Sequence, residues 1–255
     1  MSESSRVQRT LTAQSLLAGI AERGADAVGY AHRASGGQIE VHKQRSGASA
    51  LLGQISIPEE ATQVLLHVRD YTKGHPRIAA NNHPIRHGSV VGIHNGIVVN
   101  DDELFAVHGI ERAHPEMTVD SEIIFALAER SRGRTARMLE QLYGSMATAW
   151  LDEDRPELVL ARGMGRPLWI GAGRGALLFA STKHTLELAE RYAGLRLRKR
   201  ELREGTLLAV ESGEVVAEER FKPDLSFEEG GSLPAVRAPH ERVAALAALA
   251  ALVAA

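Results

Sequence analysis

The sequence predicts an α+β fold of antiparallel sheets with helices packed on their outer faces. Two observations predict it. Strand-like runs cluster, give way to helices and then return, so the βαβ alternation of a parallel sheet is absent. The chain also has the means to bury a core: 255 residues, 44% hydrophobic and 24% charged, make one large domain or two small ones.

In chain order, residues 11–23 read as a helix: Leu16, Leu17 and Ile20 share a face, Thr10 or Thr12 caps the start, and Gly24 ends it. The runs VGYAHR (28–33) and QIEVHKQ (38–44), separated by Ser35-Gly36-Gly37, read as strands. TQVLLHV (62–68) and SVVGIH (89–94) read as buried strands. Between them, residues 70–88 are polar and rich in Gly, Pro and Asn; a loop this long in a domain is usually functional or mobile. Helices are expected over 121–130 and 134–143, then strands over 146–152, 157–162, 167–171 and 176–181. A short helix over 186–193, ended by Gly194, leads to a hairpin over 205–220 that turns at Ser212-Gly213.

The expected organisation is a domain over 1–221, a linker over 222–240 where Pro, Gly, Ser and Glu accumulate, and an Ala/Leu-rich helix over 241–255. Leu246, Leu249 and Leu252 recur at threes in that tail, which reads as a docking or dimerising helix, with a fraying end as the alternative.

A net charge of −2 gives no electrostatic case for nucleic acid or an anionic membrane as partner. With no cysteine, the chain has no disulfide, thiolate metal site or cysteine nucleophile of its own. The start, MSESSRVQRT, has no signal-peptide core, and the apolar tail is too short to span a bilayer. A soluble, cytoplasmic protein is the expectation.

Asn95-Gly96, between two apolar runs, carries a strong hairpin signal. Yet between Arg69 and Asp120 the chain gathers groups suited to hold a small amino acid. Arg69 leaves a strand end, and its planar fork matches a carboxylate. Thr72 sits three residues on. Asn95 and Gly96 offer a side-chain amide and an unobstructed backbone N–H, the donors an acyl-transfer oxyanion needs; losing one such donor costs about 3 kcal/mol. Asp120 can receive an ammonium group. Taken singly, each has a plain alternative: a type I′ turn, a surface arginine, a helix cap.

The stretch HVRDYTKG…NNHPI…VVGIHNGIVVND…VDSEIIFAL resembles the glutaminase domain of class II glutamine amidotransferases, which are N-terminal-nucleophile hydrolases. Glucosamine-6-phosphate synthase and amidophosphoribosyltransferase belong to this family. ERGADAVGYA (22–31) resembles the family's Arg-Gly-x-Asp-x-x-Gly segment, and residues 143–182 resemble its later strands, so the similarity runs from about 13 to 220. The resemblance implies a four-layer αββα sandwich. It implies Arg69 on the α-carboxylate of glutamine with Thr72 beside it, Asn95 and Gly96 as the oxyanion hole, and Asp120 on the α-ammonium. It implies no cofactor and no metal; a separate synthase or acceptor protein would take the ammonia. Asp70 stands where an aromatic is common in the family, and Lys73 where a histidine often sits.

The resemblance also implies an N-terminal cysteine followed by a strand, and neither stands at the start of this sequence. Three explanations stay open: a start that lies upstream of Met1, a pseudoenzyme that binds an amino acid, or Ser2 as nucleophile. A metallohydrolase is the rival from another class, because His67, His75, His83, His87 and His94 fall within 28 residues. No His-Glu-x-x-His or His-x-His spacing supports it, and the best pair, His83 and His87, lies in an expected loop.

Overall fold

The computed structural model describes residues 8–131, 135–228 and 236–254. Its strands are β1 (Ala27–Arg33), β2 (Ile39–Gln44), β3 (Val64–Arg69), β4 (Ile85–His87), β5 (Val90–Val98), β6 (Gly144–Asp152), β7 (Arg155–Arg162), β8 (Trp169–Gly173), β9 (Ala176–Ala180), β10 (Arg198–Glu201), β11 (Thr206–Glu211) and β12 (Glu214–Arg220). The helices are α1 (Arg9–Ile20), α2 (Ala48–Leu52), α3 (Asp101–His108), α4 (Glu122–Ser131), α5 (Thr135–Leu139), α6 (Lys183–Ala193) and α7 (Pro239–Ala254). The strands form a six-stranded sheet, β12-β11-β7-β6-β5-β4, and two three-stranded sheets, β2-β1-β3 and β10-β8-β9. The pairings are antiparallel throughout.

Side-chain alternation sets the layers. Along β6, Met146 and Trp150 pack beneath α3, α4 and α5, with Phe105, Phe125 and Leu139. The alternate residues Ala147, Ala149 and Leu151 face the other way, against Ala31 and Leu65 of one small sheet and Ile170 of the other. The outer face of β1 and β3 buries Val28, Tyr30 and Val68 under α1, α2 and α7, while α6 covers β8 and β9 through Leu186 and Ala189. Helices, sheets, sheet and helices therefore stack in the order the resemblance implies. Close packing fixes particular residues. A Cβ on Gly92 of β5 would lie 2.0 Å from Cε1 of Phe125, so the strand needs glycine there for the ring of α4 to sit down.

Local signals explain the ends of elements. Thr182 caps α6 by accepting from the Thr185 N–H at 3.2 Å, and Gly194 closes that helix at φ 66°. Asp101, Asp102 and Glu103 occupy the first turn of α3, where the helix dipole favours carboxylates, and Gly109 ends it at φ 58°. The expected helix over 134–143 is shorter: α5 stops at Leu139. α2, α3, β4 and β10 were not foreseen.

The hairpin signal at Asn95-Gly96 is overturned. Both residues lie inside β5, which pairs with β6 without interruption from Val90↔Asp152 to Val98↔Gly144. The turn at Ser212-Gly213 forms as expected, with φ of 51° and 80°.

The segments around the expected linker lie against the body. Phe227 meets Tyr143 edge to face at 5.4 Å, and the Arg237 and Ala238 N–H groups both donate to the Glu22 carbonyl. In α7, Ala245 and Leu249 are buried against α1 and α2, and the Glu241 carboxylate accepts from the Ser49 N–H at 2.9 Å. Among the described residues no helix is long and apolar enough to cross a membrane.

Candidate active site

The free edges of β3 and β9 line one cleft of about 1120 Å³, with residues 93–97 of β5 and 147–149 of β6 on its wall. Arg69, Thr72, Asn95, Gly96 and Asp120, the residues singled out in the sequence, all line it. Residues more than 50 positions apart converge because β3 and β5 lead into the same space from two different sheets.

Arg69 ends β3, held by the corner between α1 and β1. A Cβ on Gly24 would come within 2.4 Å of the Arg69 carbonyl carbon, so the chain passes there only as glycine. The Asp26 N–H donates to the Arg69 carbonyl at 3.0 Å, and the Asp26 carboxylate accepts from the Tyr71 N–H at 3.0 Å. Gly24 and Asp26 thus clamp the backbone on both sides of Asp70. The Arg69 guanidinium is buried; it donates to Asn82 Oδ1 at 2.6 Å and to the carbonyls of Lys73 and Gly74 at 2.8 and 2.5 Å. It therefore organises the loop as well as facing the cleft. Burial lowers its pKa to about 10, opposed chiefly by the negative charge of Asp120. An arginine so placed gains from a second anion.

Asp120 precedes α4 and is buried. It does not serve as the expected helix cap; its Oδ2 accepts from the Val98 N–H at 2.7 Å, at the far end of β5. Ser121 beside it contacts Nδ1 of His94 at 2.9 Å, and Nε2 of His94 lies 3.2 Å from the Ser145 carbonyl. Thr72 is exposed at the cleft mouth.

The backbone around Gly96 has one free flank. Met146, its partner on β6, gives its N–H to Met164 and accepts from Gly163 through its carbonyl, both away from β5. In an antiparallel ladder this makes Gly96–Met146 a pair without mutual hydrogen bonds, so the Gly96 N–H turns from β6. Residues of the same parity agree: the His94 carbonyl is 3.0 Å from Nε2 of His67, and the Val98 N–H goes to Asp120. β4 reaches only to Gly92, so no strand covers this flank. Gly96 has φ 147°, and a Cβ would fall 1.9 Å from the Ser145 carbonyl oxygen; only glycine fits. Next to it, Nδ2 of Asn95 is buried with no hydrogen-bond partner. An unpaired buried amide donor costs about 1–3 kcal/mol unless a ligand takes it up.

Sequence reading missed the residues that support this geometry. Asn82 holds Arg69, and Oδ1 of Asn81 accepts from the Thr118 and Val119 N–H groups, fixing the approach to Asp120. The Asn-Asn pair in a polar loop was the only signal available. Lys73 reaches away from Arg69 to Asp101 at 2.7 Å and Asp102 at 2.9 Å, and Arg112 joins both carboxylates to Glu122. The histidine-rich stretch does not gather its members around a shared point. His67 and His83 stack at 4.1 Å, burial lowering the pKa of both and that of His67 to about 3, whereas His87 contacts Glu122 at 2.9 Å.

A family model described as a glutamine amidotransferase domain matches residues 73–188. Among curated proteins, the glutamine–fructose-6-phosphate aminotransferase (isomerizing) of Caulobacter vibrioides is 32% identical over 168 residues, covering 62% of this chain and 27% of the relative. That of Zymomonas mobilis is 33% identical over 123 residues, covering 44% and 19%. The chain thus spans less than a third of the length of these relatives. Among solved structures, the glutamine phosphoribosylpyrophosphate amidotransferase from B. subtilis, complexed with ADP and GMP, superposes with a TM-score of 0.65 at 21% identity. It covers 84% of this chain and 47% of its own. An allosteric regulatory enzyme of purine biosynthesis gives 0.66 at 22%, covering 84% and 46%. At that identity both bear on the fold alone.

Proposed function

We propose, from the premise that this chain carries a class II glutamine amidotransferase domain, that its cleft binds free glutamine by both charged ends and presents two donors to the side-chain carboxamide. The observation that carries this reading is the pairing of the unpartnered Asn95 amide with the outward-turned Gly96 N–H, flanked by Arg69 and Asp120 in one cleft. Arg69 takes the α-carboxylate, Asp120 the α-ammonium, and Thr72 closes over the mouth. Asn95 and Gly96 then face the carboxamide oxygen, where they stabilise negative charge if the carbon is attacked.

In the amidase reaction a thiolate adds to that carbon, the C–N bond breaks as nitrogen takes up a proton and leaves as ammonia, and water releases glutamate from the thioester. These 255 residues contain no cysteine, so the thiol for that step is not among them. Ser2 lies outside the described residues. The behaviour proposed for this chain by itself is binding without turnover. With a thiol supplied at the cleft, the same groups hydrolyse glutamine and pass ammonia to an acceptor on a separate protein. The cleft exceeds the roughly 300–1,000 Å³ of ordinary small-molecule sites, which leaves room beside an amino acid for a further segment along the edges of β3 and β9.

Calorimetric titration with L-glutamine and L-glutamate, with an ammonia assay on the same samples, tests the proposal. Glutamine binding that disappears in Arg69→Ala and weakens in Asp120→Asn supports it. Failure of the folded wild-type chain to bind either amino acid overturns the assignment of all five residues.

A further inference from the structure

The outer face of the β1–β2 ladder carries a group of side chains that the cleft does not use. His32 and Glu40 stand directly opposite each other in the register, and His42 follows two residues after Glu40, so all three project from one face. Nε2 of His32 is 3.6 Å from Oε2 of Glu40, and Nε2 of His42 is 4.0 Å from the same oxygen. One ligand atom from each of the three lies within 4.8 Å of the others, and no other group of His, Asp and Glu among the described residues meets that condition.

The state of His32 is the second observation. It is 2% exposed, and neither ring nitrogen has a hydrogen-bond partner. Buried polar atoms are almost always satisfied, and leaving one unsatisfied costs about 1–3 kcal/mol. The ring is nevertheless held in place: it lies parallel to His42 at 6.2 Å with a 4° interplanar angle, and Tyr30 stacks on His42 at 4.6 Å. Burial lowers the His32 pKa, against the raising effect of Glu40 and Glu60, so the ring is neutral and its lone pair is free to donate.

We propose that His32, Glu40 and His42 form a binding site for a borderline divalent transition metal ion, with Zn²⁺ the best fit. Two imidazoles and one carboxylate suit such an ion, and three protein ligands leave a fourth position to water. Tetrahedral zinc, with bonds of about 2.0–2.1 Å, sets its ligand atoms roughly 3.3 Å apart. The 3.6 and 4.0 Å separations close to that value by small rotations of Glu40 and His42, which are 58% and 50% exposed and free to turn. The fixed, buried ligand is His32, and the mobile ones swing in from solvent. None of the three lines the glutamine cleft, but β1 is the strand to which β3, the carrier of Arg69, is paired. A bound ion staples β1 to β2 and stiffens the sheet that presents Arg69.

The test is titration of Zn²⁺ into the chelator-treated full-length chain, with calorimetry, thermal unfolding and the visible spectrum of the Co²⁺ form read together. The expected result is one equivalent bound with a Kd near micromolar, a rise in Tm at about hundredfold excess over Kd, and tetrahedral Co²⁺ bands. Glu40→Gln and His42→Ala alter exposed side chains and keep the fold; each weakens binding at least tenfold and abolishes the Tm rise. His32→Leu, at the buried position, removes binding while relieving two unpaired nitrogens. Absence of a one-to-one complex, or unchanged affinity in both Glu40→Gln and His42→Ala, overturns the proposal.

Discussion

Two dipeptides of the same kind, Asn95-Gly96 and Ser212-Gly213, have opposite fates. Each is a small polar residue followed by glycine between apolar runs. Ser212-Gly213 turns the chain, with both residues at positive φ, and joins two strands. Asn95-Gly96 runs straight through β5, and only its glycine departs from ordinary strand geometry. The downstream residues make the difference. After Gly213 come seven residues that pair back on β11. After Gly96 only Ile97, Val98 and Val99 are apolar before Asn100 and the acidic first turn of α3, too few to form a returning strand. The partner β6 then takes the whole segment, and a glycine that would have served a turn relieves a clash with Ser145 instead. A local signal specifies a turn only when a return strand is available to use it.

The comparison breaks most visibly by substituting the two glycines. Gly96→Ala forces a methyl against a backbone oxygen at 1.9 Å, with an expected cost of about 3–4 kcal/mol and loss of glutamine binding. Gly213→Ala meets its nearest atom at 3.0 Å and asks alanine to hold φ 80°, so about 1–2 kcal/mol is expected with binding intact. Denaturant midpoints and calorimetry on both variants decide this; equal losses would mean that Gly96 matters only as a flexible residue.

The loop that closes on this part of β5 offers the next contrast. Arg69 and Lys73 both bind loop elements, but Lys73 points to Asp101 and Asp102 at the rim. Lys73→Met therefore spares most glutamine affinity and lowers stability by under about 1 kcal/mol, since the ammonium is 39% exposed. Its effect depends on pH in a defined way. Hydrogen bonds from Lys73 and then Arg112 hold the Asp102 pKa below its usual 3.8, and contacts with Asp101 and Asp102 outweigh burial to raise that of Lys73 above 10.5. A depressed carboxylate contributes stability above its unfolded value and loses it as pH falls through the folded value; a raised lysine loses its contribution as pH rises through its own. The difference in Tm between wild type and Lys73→Met is thus flat from about pH 5 to 9 and shrinks below about pH 4.

The smallest effect sharpens the turn itself. Ser212→Asn places a residue that tolerates positive φ where φ is 51°, and a gain of roughly 0.3 kcal/mol in unfolding free energy is expected.

Much of the architecture was readable because alternation along single strands records burial. VGYAHR and TQVLLHV became β1 and β3, and MATAWLD became β6 with its two faces sorted as its pattern suggests. Arg69, Asn95, Gly96 and Asp120 were readable as a set because their chemistry is complementary and their order is fixed. What escaped depends on partners distant in sequence. Nothing local announces that Asn82 holds a guanidinium thirteen residues earlier, or that Asp120 reaches back to Val98 in place of capping α4. α3 was missed for another reason: its apolar content is low, and it is stabilised by Asp101 at its start and Phe105 in the core. Glu40-x-His42 went unremarked because a strand pair, not a spacing within one segment, assembles it with His32.

Asp70, the position that departs from the family's aromatic, pairs with Arg237 at 3.0 Å. The backbone beside Arg237 is tied to Glu22, and Arg242 reaches Glu22 again at 2.8 Å. The rim of the pocket is therefore buckled to the root of the last helix by a strap that bypasses every sheet. A change at residue 70 loosens both ends of that buckle at once, so a weakened ligand response in such a variant reports slack in the tether as much as any lost contact with the amino acid.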